Sequence, residues 1–233
     1  LEMPYDNRNS FGKTYGEHRE FLELNEEQHR HLKNYAKDRN ITYFCTPCDI
    51  LSVEMLERLD CPFFKVASRD ITNIPLLNKL ATLNKPIIFS TGMADLEDIN
   101  QAMKFLKSEK NEIIIMHCTS QYPCKIENVN FNAITTLKEK FATLVGMSDH
   151  TSGVIIGATS IVYGAVVVEK HITLNRTMKG TDHPGSLEEV GLRKLVEYIR
   201  AIELAKGDGI IKIKPAVFSA KDKLMRSLTN KIK

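Results

Sequence analysis

From Ile41 onward the chain alternates short apolar runs with longer segments whose apolar residues recur at helical spacing. The runs are 41–47, 63–68, 86–92, 112–119, 144–150 and 166–173, and the segments between and after them predict helices over 50–59, 74–83, 96–107, 131–141, 153–163 and 187–206. Strict alternation of strand and helix predicts a parallel α/β sheet. The runs are apolar at nearly every position, as expected when both faces of a sheet are covered. Ahead of this repeat, residues 1–24 carry turn formers (Pro4, Asn7, Asn9, Gly12, Gly16) and no sustained period, and read as a loop. Asn25 followed by Glu26 and Glu27 then caps a helix running to about Arg39, with Leu32, Tyr35 and Ala36 on its buried face. Residues 207–233 are basic, show little pattern and read as a linker or tail, so that 1–206 form one unit.

The polar residues of the runs gather at their carboxyl ends: Thr46, Lys65 with Ser68, Ser90-Thr91-Gly92, His117 with Thr119 and Ser120, Ser148-Asp149-His150, and Glu169-Lys170-His171. In a (β/α) TIM-type barrel that end carries the active site. A doubly wound sheet would place a ligand there too, usually with a glycine-rich phosphate loop, and the sequence has none. A barrel needs eight strands against the six found, so the expectation is a barrel lacking its first two β-strands, which would lie before Leu1. His150 and His171 close consecutive runs joined by a crossover helix, so they should lie side by side on parallel neighbours.

Composition narrows the class. At 233 residues and 42% hydrophobic content, the chain suits one large α/β domain. No run reaches the roughly 18 apolar residues of a membrane span and no secretory leader pattern opens the chain, so the expectation is a soluble cytoplasmic protein with no membrane partner. The formal net charge is only +3 with no basic block, which gives nucleic acid little support as a partner. Five cysteines (Cys45, Cys48, Cys61, Cys118, Cys124) are an odd number and read as reduced thiols. Cys45-Thr-Pro-Cys48 has redox spacing but no second pair, so a packing role outweighs a redox one.

Several segments, in order along almost the whole chain, resemble the sialic acid synthase family, which includes the legionaminate and pseudaminate synthases. They are Asn-Ser-Phe-Gly-Lys-Thr-Tyr-Gly-Glu-His-Arg-Glu (9–20), Phe-Lys-Val-Ala-Ser (64–68), Thr-Asn-Ile-Pro-Leu-Leu (72–77), Ser-Thr-Gly-Met (90–93), His-Cys-Thr-Ser with Tyr122-Pro123, Gly-Met-Ser-Asp-His-Thr (146–151), Glu-Lys-His-Ile-Thr-Leu (169–174) and Lys-Gly-Thr-Asp-His (179–183). The resemblance implies a (β/α) barrel followed by an antifreeze-like domain, a domain-swapped homodimer, and Mn²⁺ or Mg²⁺ as cofactor. It implies condensation of phosphoenolpyruvate with an N-acylated hexosamine of the N-acetylmannosamine type, giving a nine-carbon 2-keto-3-deoxy acid and phosphate. The family's first two barrel strands, with a glutamate and a lysine used at the site, and its C-terminal antifreeze-like domain have no counterpart in these residues. That leaves two rival readings, a non-catalytic remnant or assembly subunit and another metal-dependent barrel aldolase or lyase.

Carried over residue by residue, the resemblance makes His150 and His171 the metal ligands, and neutral imidazoles suit such an ion. Lys65, within an apolar run, needs an anion, which would be phosphoenolpyruvate, or else an ion pair with Asp70 or Glu169. Ser68, Ser90, Ser120 and Ser148 would add hydroxyl donors, with turn and cap roles as the competing reading. Tyr122 would contact the sugar, and the 9–20 loop would help form that end of the pocket, with packing of an exposed loop tyrosine on a neighbour as the competing reading for Tyr122. Asp70 and Asp182 are the candidate proton handlers for the water that adds to the substrate, Asp70 standing where many members carry glutamate and Ser120 where many carry asparagine. Glu169 and Lys170 would orient His171 or pair with each other. His117 reads as a satisfied core residue, and His183 as a substrate contact or a loop brace.

Overall fold

The protein, seen in a computed structural model, is described over residues 2–5, 7–106 and 111–226. Five strands, β1 (Phe64–Val66), β2 (Ile87–Ser90), β3 (Ile113–Cys118), β4 (Leu144–Asp149) and β5 (Val167–Lys170), pair in chain order into one curled parallel sheet. Its register sets Phe64 beside Ile87, Ser90 beside Met116, Cys118 beside Ser148 and Asp149 beside Lys170.

Because side chains alternate across a strand, each run divides into two sets. Phe64, Val66, Ile87, Phe89, Ile115, Val145 and Met147 are fully or almost fully buried and join the helices in one continuous core. Removing each of these larger side chains from water stabilises the fold by roughly 1.5–3 kcal/mol. Lys65, Ser90, Ser148 and Glu169 belong to the alternate set, facing the concave side.

The helices follow from local signals. In α3 (Ile50–Arg58) Asp49 caps the amide of Ser52, and in α4 (Ile74–Ala81) Asn73 caps Leu76 beside a proline in the first turn. The helix α4 buries Leu76, Leu77 and Leu80 on one stripe. The others that cover the sheet are α5 (Leu96–Leu106), α6 (Asn132–Phe141), α7 (Ile155–Thr159) and α8 (Glu189–Lys206). The predicted end at Lys107 of the helix over 96–107 lies outside the described residues.

Several expectations need correcting. Residues 1–24 are not all loop: Tyr15–Leu22 form a helix, α1, closed by a reciprocal capping box between Thr14 and Glu17. The Thr-x-x-Glu spacing was in the sequence, but no apolar stripe accompanied it. Residues 41–47 form no strand, so the sheet has five strands and not six. Tyr43 and Cys45 pack on the core while Phe44 between them faces out, a local strand-like alternation that makes no ladder to β1, and Ile41, of the same parity as Tyr43, is exposed. The helix predicted over 153–163 is α only over α7, with turns carrying the chain on to Gly164 at positive φ. The tail is not featureless: a 3-10 turn at Pro215–Val217 leads into α9 (Phe218–Leu224), both exposed, while residues 227–233 lie outside the described residues. The helix predicted from Asn25 is present as α2 (Glu26–Lys37), with Asn25 capping Gln28, but its buried residue is His29, and Leu32 and Tyr35, expected on the buried face, are exposed. No helix among the described residues is long and apolar enough to cross a membrane.

Candidate active site

The carboxyl ends of β1 to β5 open into a cavity of about 450 Å³. Lys65, Ser68, Ser90, Ser120, Tyr122, Ser148, His150, His171 and Asp182 all line it. Of the residues predicted for the site, Asp70 alone does not; its carboxylate lies 3.4 Å from the Nε of Arg69, on the 3-10 turn Ser68–Asp70 after β1.

One side of the cavity carries a buried cation and several hydroxyls. The Lys65 ammonium is buried and lies 3.2 Å from Oε2 of Glu169, across the concave face. Oε1 of Glu169 accepts a 2.6 Å bond from the Ser148 hydroxyl. Of the two partners anticipated for Lys65, Glu169 is therefore the one it has. Ser68 Oγ accepts from the Gly92 amide at 2.9 Å. The Ser90 hydroxyl is buried and, among the described residues, has no hydrogen-bond partner. An orphaned buried hydroxyl on a cavity wall is costly unless a ligand or water satisfies it.

The imidazoles stand beside this. Their ring centroids are 5.2 Å apart, the adjacency that parallel pairing of β4 and β5 demands. His150 Nδ1 lies 2.9 Å from the carbonyl of Thr119, to which it donates, so Nε2 faces the cavity, 3.4 Å from Ser148 Oγ. Burial holds the His150 pKa below the usual imidazole value, so the ring is neutral and its Nε2 lone pair is available. Asp182 lies 3.4 Å from Nδ1 of His171, and that bond holds its carboxyl below the usual range. Tyr122 stacks on His150 at 4.1 Å and lies 5.5 Å from His171; burial pushes its phenol up to about 12, so it stays a protonated donor. Two imidazoles with free Nε2 atoms fit a divalent ion. Among the described residues no His, Cys, Asp or Glu cluster supplies three ligands at once, so water or substrate would complete such a shell.

Sequence reasoning placed Glu169 beside Lys170, but strand alternation separates them. Lys170 points to the helix side and pairs with Asp149 at 2.9 Å, both side chains almost wholly buried. Arg19, Arg69 and Cys48 also line the cavity. Arg19 lies in the 9–20 segment expected at the sugar end of the pocket, although not singled out there, while Arg69 and Cys48, on a turn and a loop with no period to predict direction, were not anticipated. His117 is a satisfied core residue, its Nε2 2.6 Å from the carbonyl of Val129, and His183 braces its loop through Thr173 at 2.7 Å. All five cysteines are free thiols.

A family model described as the NeuB family matches residues 2–211. The chain is 37% identical over 234 residues to N-acetylneuraminate-9-phosphate synthase from Homo sapiens, covering 100% of this chain and 65% of that protein. It is 44% identical over 194 residues to N,N'-diacetyllegionaminic acid synthase from Campylobacter jejuni, covering 82% of this chain and 58% of that one. The chain thus spans somewhat under two thirds of the length of these relatives. Among solved structures, an N-acetylneuraminic acid (sialic acid) synthetase from Leptospira borgpetersenii in complex with citrate superposes with a TM-score of 0.81 at 32% identity, over 91% of this chain and 78% of that one.

Proposed function

The chain belongs to the NeuB family, and from that premise we propose that it condenses phosphoenolpyruvate with the open-chain aldehyde of an N-acylated hexosamine and water, giving a nine-carbon 2-keto-3-deoxy acid and inorganic phosphate. The observation that carries this reading is the buried Lys65 ammonium, with the orphaned Ser90 hydroxyl, on the same cavity as the paired imidazoles. It joins a subsite for a small anion to one that can receive a carbonyl. The curled sheet is then an arc of a (β/α) barrel, with its site at the expected end.

Lys65, Ser90 and Ser148 hold the phosphate and carboxylate of phosphoenolpyruvate and fix its C3 toward the aldehyde, so that orientational entropy is lost on binding and not in the barrier. Tyr122, its phenol protonated, donates to the sugar. A new bond forms from C3 to the aldehyde carbon, whose oxygen takes up a proton. Water then adds at C2 and loses a proton toward Asp182, and the bond from C2 to the phosphate oxygen breaks. Asp70 acts from behind the wall by holding Arg69. His150 and His171 would hold Mn²⁺ or Mg²⁺, which when bound supplies Lewis-acid polarisation of the aldehyde.

Incubating the chain with phosphoenolpyruvate, an N-acylmannosamine or its 6-phosphate, and Mn²⁺ should release phosphate and yield a 2-keto acid of the summed mass less phosphate plus water. Phosphate release that does not depend on the sugar, or aldol cleavage without phosphate release, would refute this function. The human relative's name prints a 9-phosphate on the product and the Campylobacter relative's does not. Three carbons come from phosphoenolpyruvate, so such a phosphate would derive from C6 of the hexosamine.

A further inference from the structure

The cavity carries an anion of its own. Glu169, on β5, lines it from the concave side with its side chain 31% exposed. Its Oε2 lies 3.2 Å from the Lys65 ammonium, and its Oε1 accepts at 2.6 Å from the Ser148 hydroxyl. Those are two of the three donors that the condensation assigns to phosphoenolpyruvate. A serine hydroxyl has a single proton to donate, and Ser148 directs it at Glu169. Ser90, the third donor, is buried and has no partner among the described residues.

The placement of this pair separates it from a structural ion pair. The outer strands of the sheet are β1 and β5, with three strands between them. Lys65 and Glu169 therefore meet across the concave side, on the wall of an open cavity. Asp149 and Lys170, by contrast, are neighbours in the ladder and meet on the helix side, almost wholly buried. A third ion can reach the first pair and cannot reach the second.

Resting on the proposed condensation, we propose that Glu169 is an internal competitor for the anion subsite: its carboxylate engages Lys65 and Ser148 until a substrate anion displaces it, and so sets how tightly the site holds any anion. Displacement breaks no covalent bond. The Ser148 hydroxyl turns from Oε1 toward the incoming oxygen, and the carboxylate gives up its contact with the ammonium. An anion touching Lys65 lies within roughly 6 Å of a carboxylate touching the same ammonium, so the two repel. Inorganic phosphate, the product, meets the same repulsion and leaves more readily.

Calorimetric titration of inorganic phosphate and, separately, of phosphoenolpyruvate into the whole chain reads the competition. Glu169→Gln removes the charge at nearly constant shape, and Glu169→Leu removes both acceptors. Each variant should bind both anions about tenfold more tightly than the parent, the scale of repulsion between unit charges roughly 6 Å apart near a protein surface. Glu57→Gln, which removes the same charge from a pair with Lys79 on the helices, should leave both affinities within about twofold. Thermal unfolding supplies a second readout. Without added anion Glu169→Gln should melt below the parent, because Lys65 loses its counter-charge, and saturating phosphate should raise its midpoint by more than the parent's. Variants that bind both anions more weakly would make Glu169 a support for Lys65 and overturn the competition. Affinities unchanged in both variants would overturn it too, and in either case a parent that binds phosphoenolpyruvate leaves the condensation standing. A parent that binds neither anion refutes the condensation and the competition together.

Discussion

Asp149→Asn should be among the most destabilising single polar substitutions in this protein. Asp149 is wholly buried between the sheet and α7, and all its acceptor positions are in use. Oδ1 accepts from the amide and hydroxyl of Thr151 at 2.8 and 2.7 Å, and Oδ2 from the Gly157 amide at 3.0 Å and Lys170 Nζ at 2.9 Å. Lys170 also donates to the Thr151 carbonyl. Asparagine replaces one acceptor with a donor facing other donors, and leaves the Lys170 ammonium buried without a counter-charge. Breaking a buried pair from one side costs about 3–5 kcal/mol. For a chain of this size each kcal/mol shifts the midpoint by roughly 2–4 °C, so the thermal midpoint should fall by roughly 6–20 °C. Thermal and urea unfolding followed by far-UV circular dichroism would measure it. Asp149→Leu with Lys170→Met, which removes both charges together, should recover a large part of the loss. A single variant within about 1 kcal/mol of the parent, on the scale of an exposed pair, would refute this account. So would a double variant no more stable than Asp149→Asn.

Further outcomes follow from other contacts. Lys65→Met should weaken phosphoenolpyruvate binding by about tenfold or more, read by calorimetry, since the buried ammonium on the cavity wall is lost; an unchanged affinity would contradict the anion role. His117 is held below the ordinary imidazole value by burial, against its hydrogen bond to Val129. The unfolded chain therefore takes up that proton first, so the contribution is complete above about pH 6.5 and is lost as pH falls from there toward the folded value. His117→Gln should flatten the decline of the urea midpoint below about pH 6.5, and an identical slope would disprove it. Gly146→Ala places a methyl group against the Met116 sulfur and 2.7 Å from the Val167 carbonyl, where the sheet backbone cannot yield, and should cost about 1–3 kcal/mol in thermal unfolding.

The parts of the fold that were legible are those that repeat. Five of the six strands, with their following helices, could be read directly because β1 to β5 lie in runs such as Ile87-Ile88-Phe89 and Ile113-Ile114-Ile115, apolar on both faces and flanked by helices. The run 41–47 had the same composition, yet a strand exists only where a neighbour supplies hydrogen bonds, and composition does not report that. Helix α1 was hidden for the opposite reason: its cap is strong, but only His18 of its residues is buried, so no stripe marked it. In the site, the residues read from the pattern itself were those next to strand ends, where direction follows from parity, while the loop residues Tyr122 and Asp182 came from the resemblance. Arg69 was missed because a turn side chain has no period to fix its aim, and Arg19 was placed only as part of its segment because α1 itself was not recognised as a helix.

The two motifs that anchor the site show what parity decides. Ser-Asp-His at 148–150 and Glu-Lys-His at 169–171 look like continuous functional strings, and in each the central residue is charged. On a strand the outer two residues of such a triplet share a face and the central one takes the other. Ser148 and Glu169 therefore bond to each other, and with His150 and His171 they line the cavity, while Asp149 and Lys170 meet on the helix side. The register Ser148 to Glu169 and Asp149 to Lys170 makes both pairings possible at once, and a slip by one residue would break both. The buried ion pair and the imidazole pair are thus two readouts of one register. That is why charged residues with no contact to a substrate can lie between residues that line the cavity: the pair on the hidden face holds β4 and β5 in the alignment that brings the two imidazoles together.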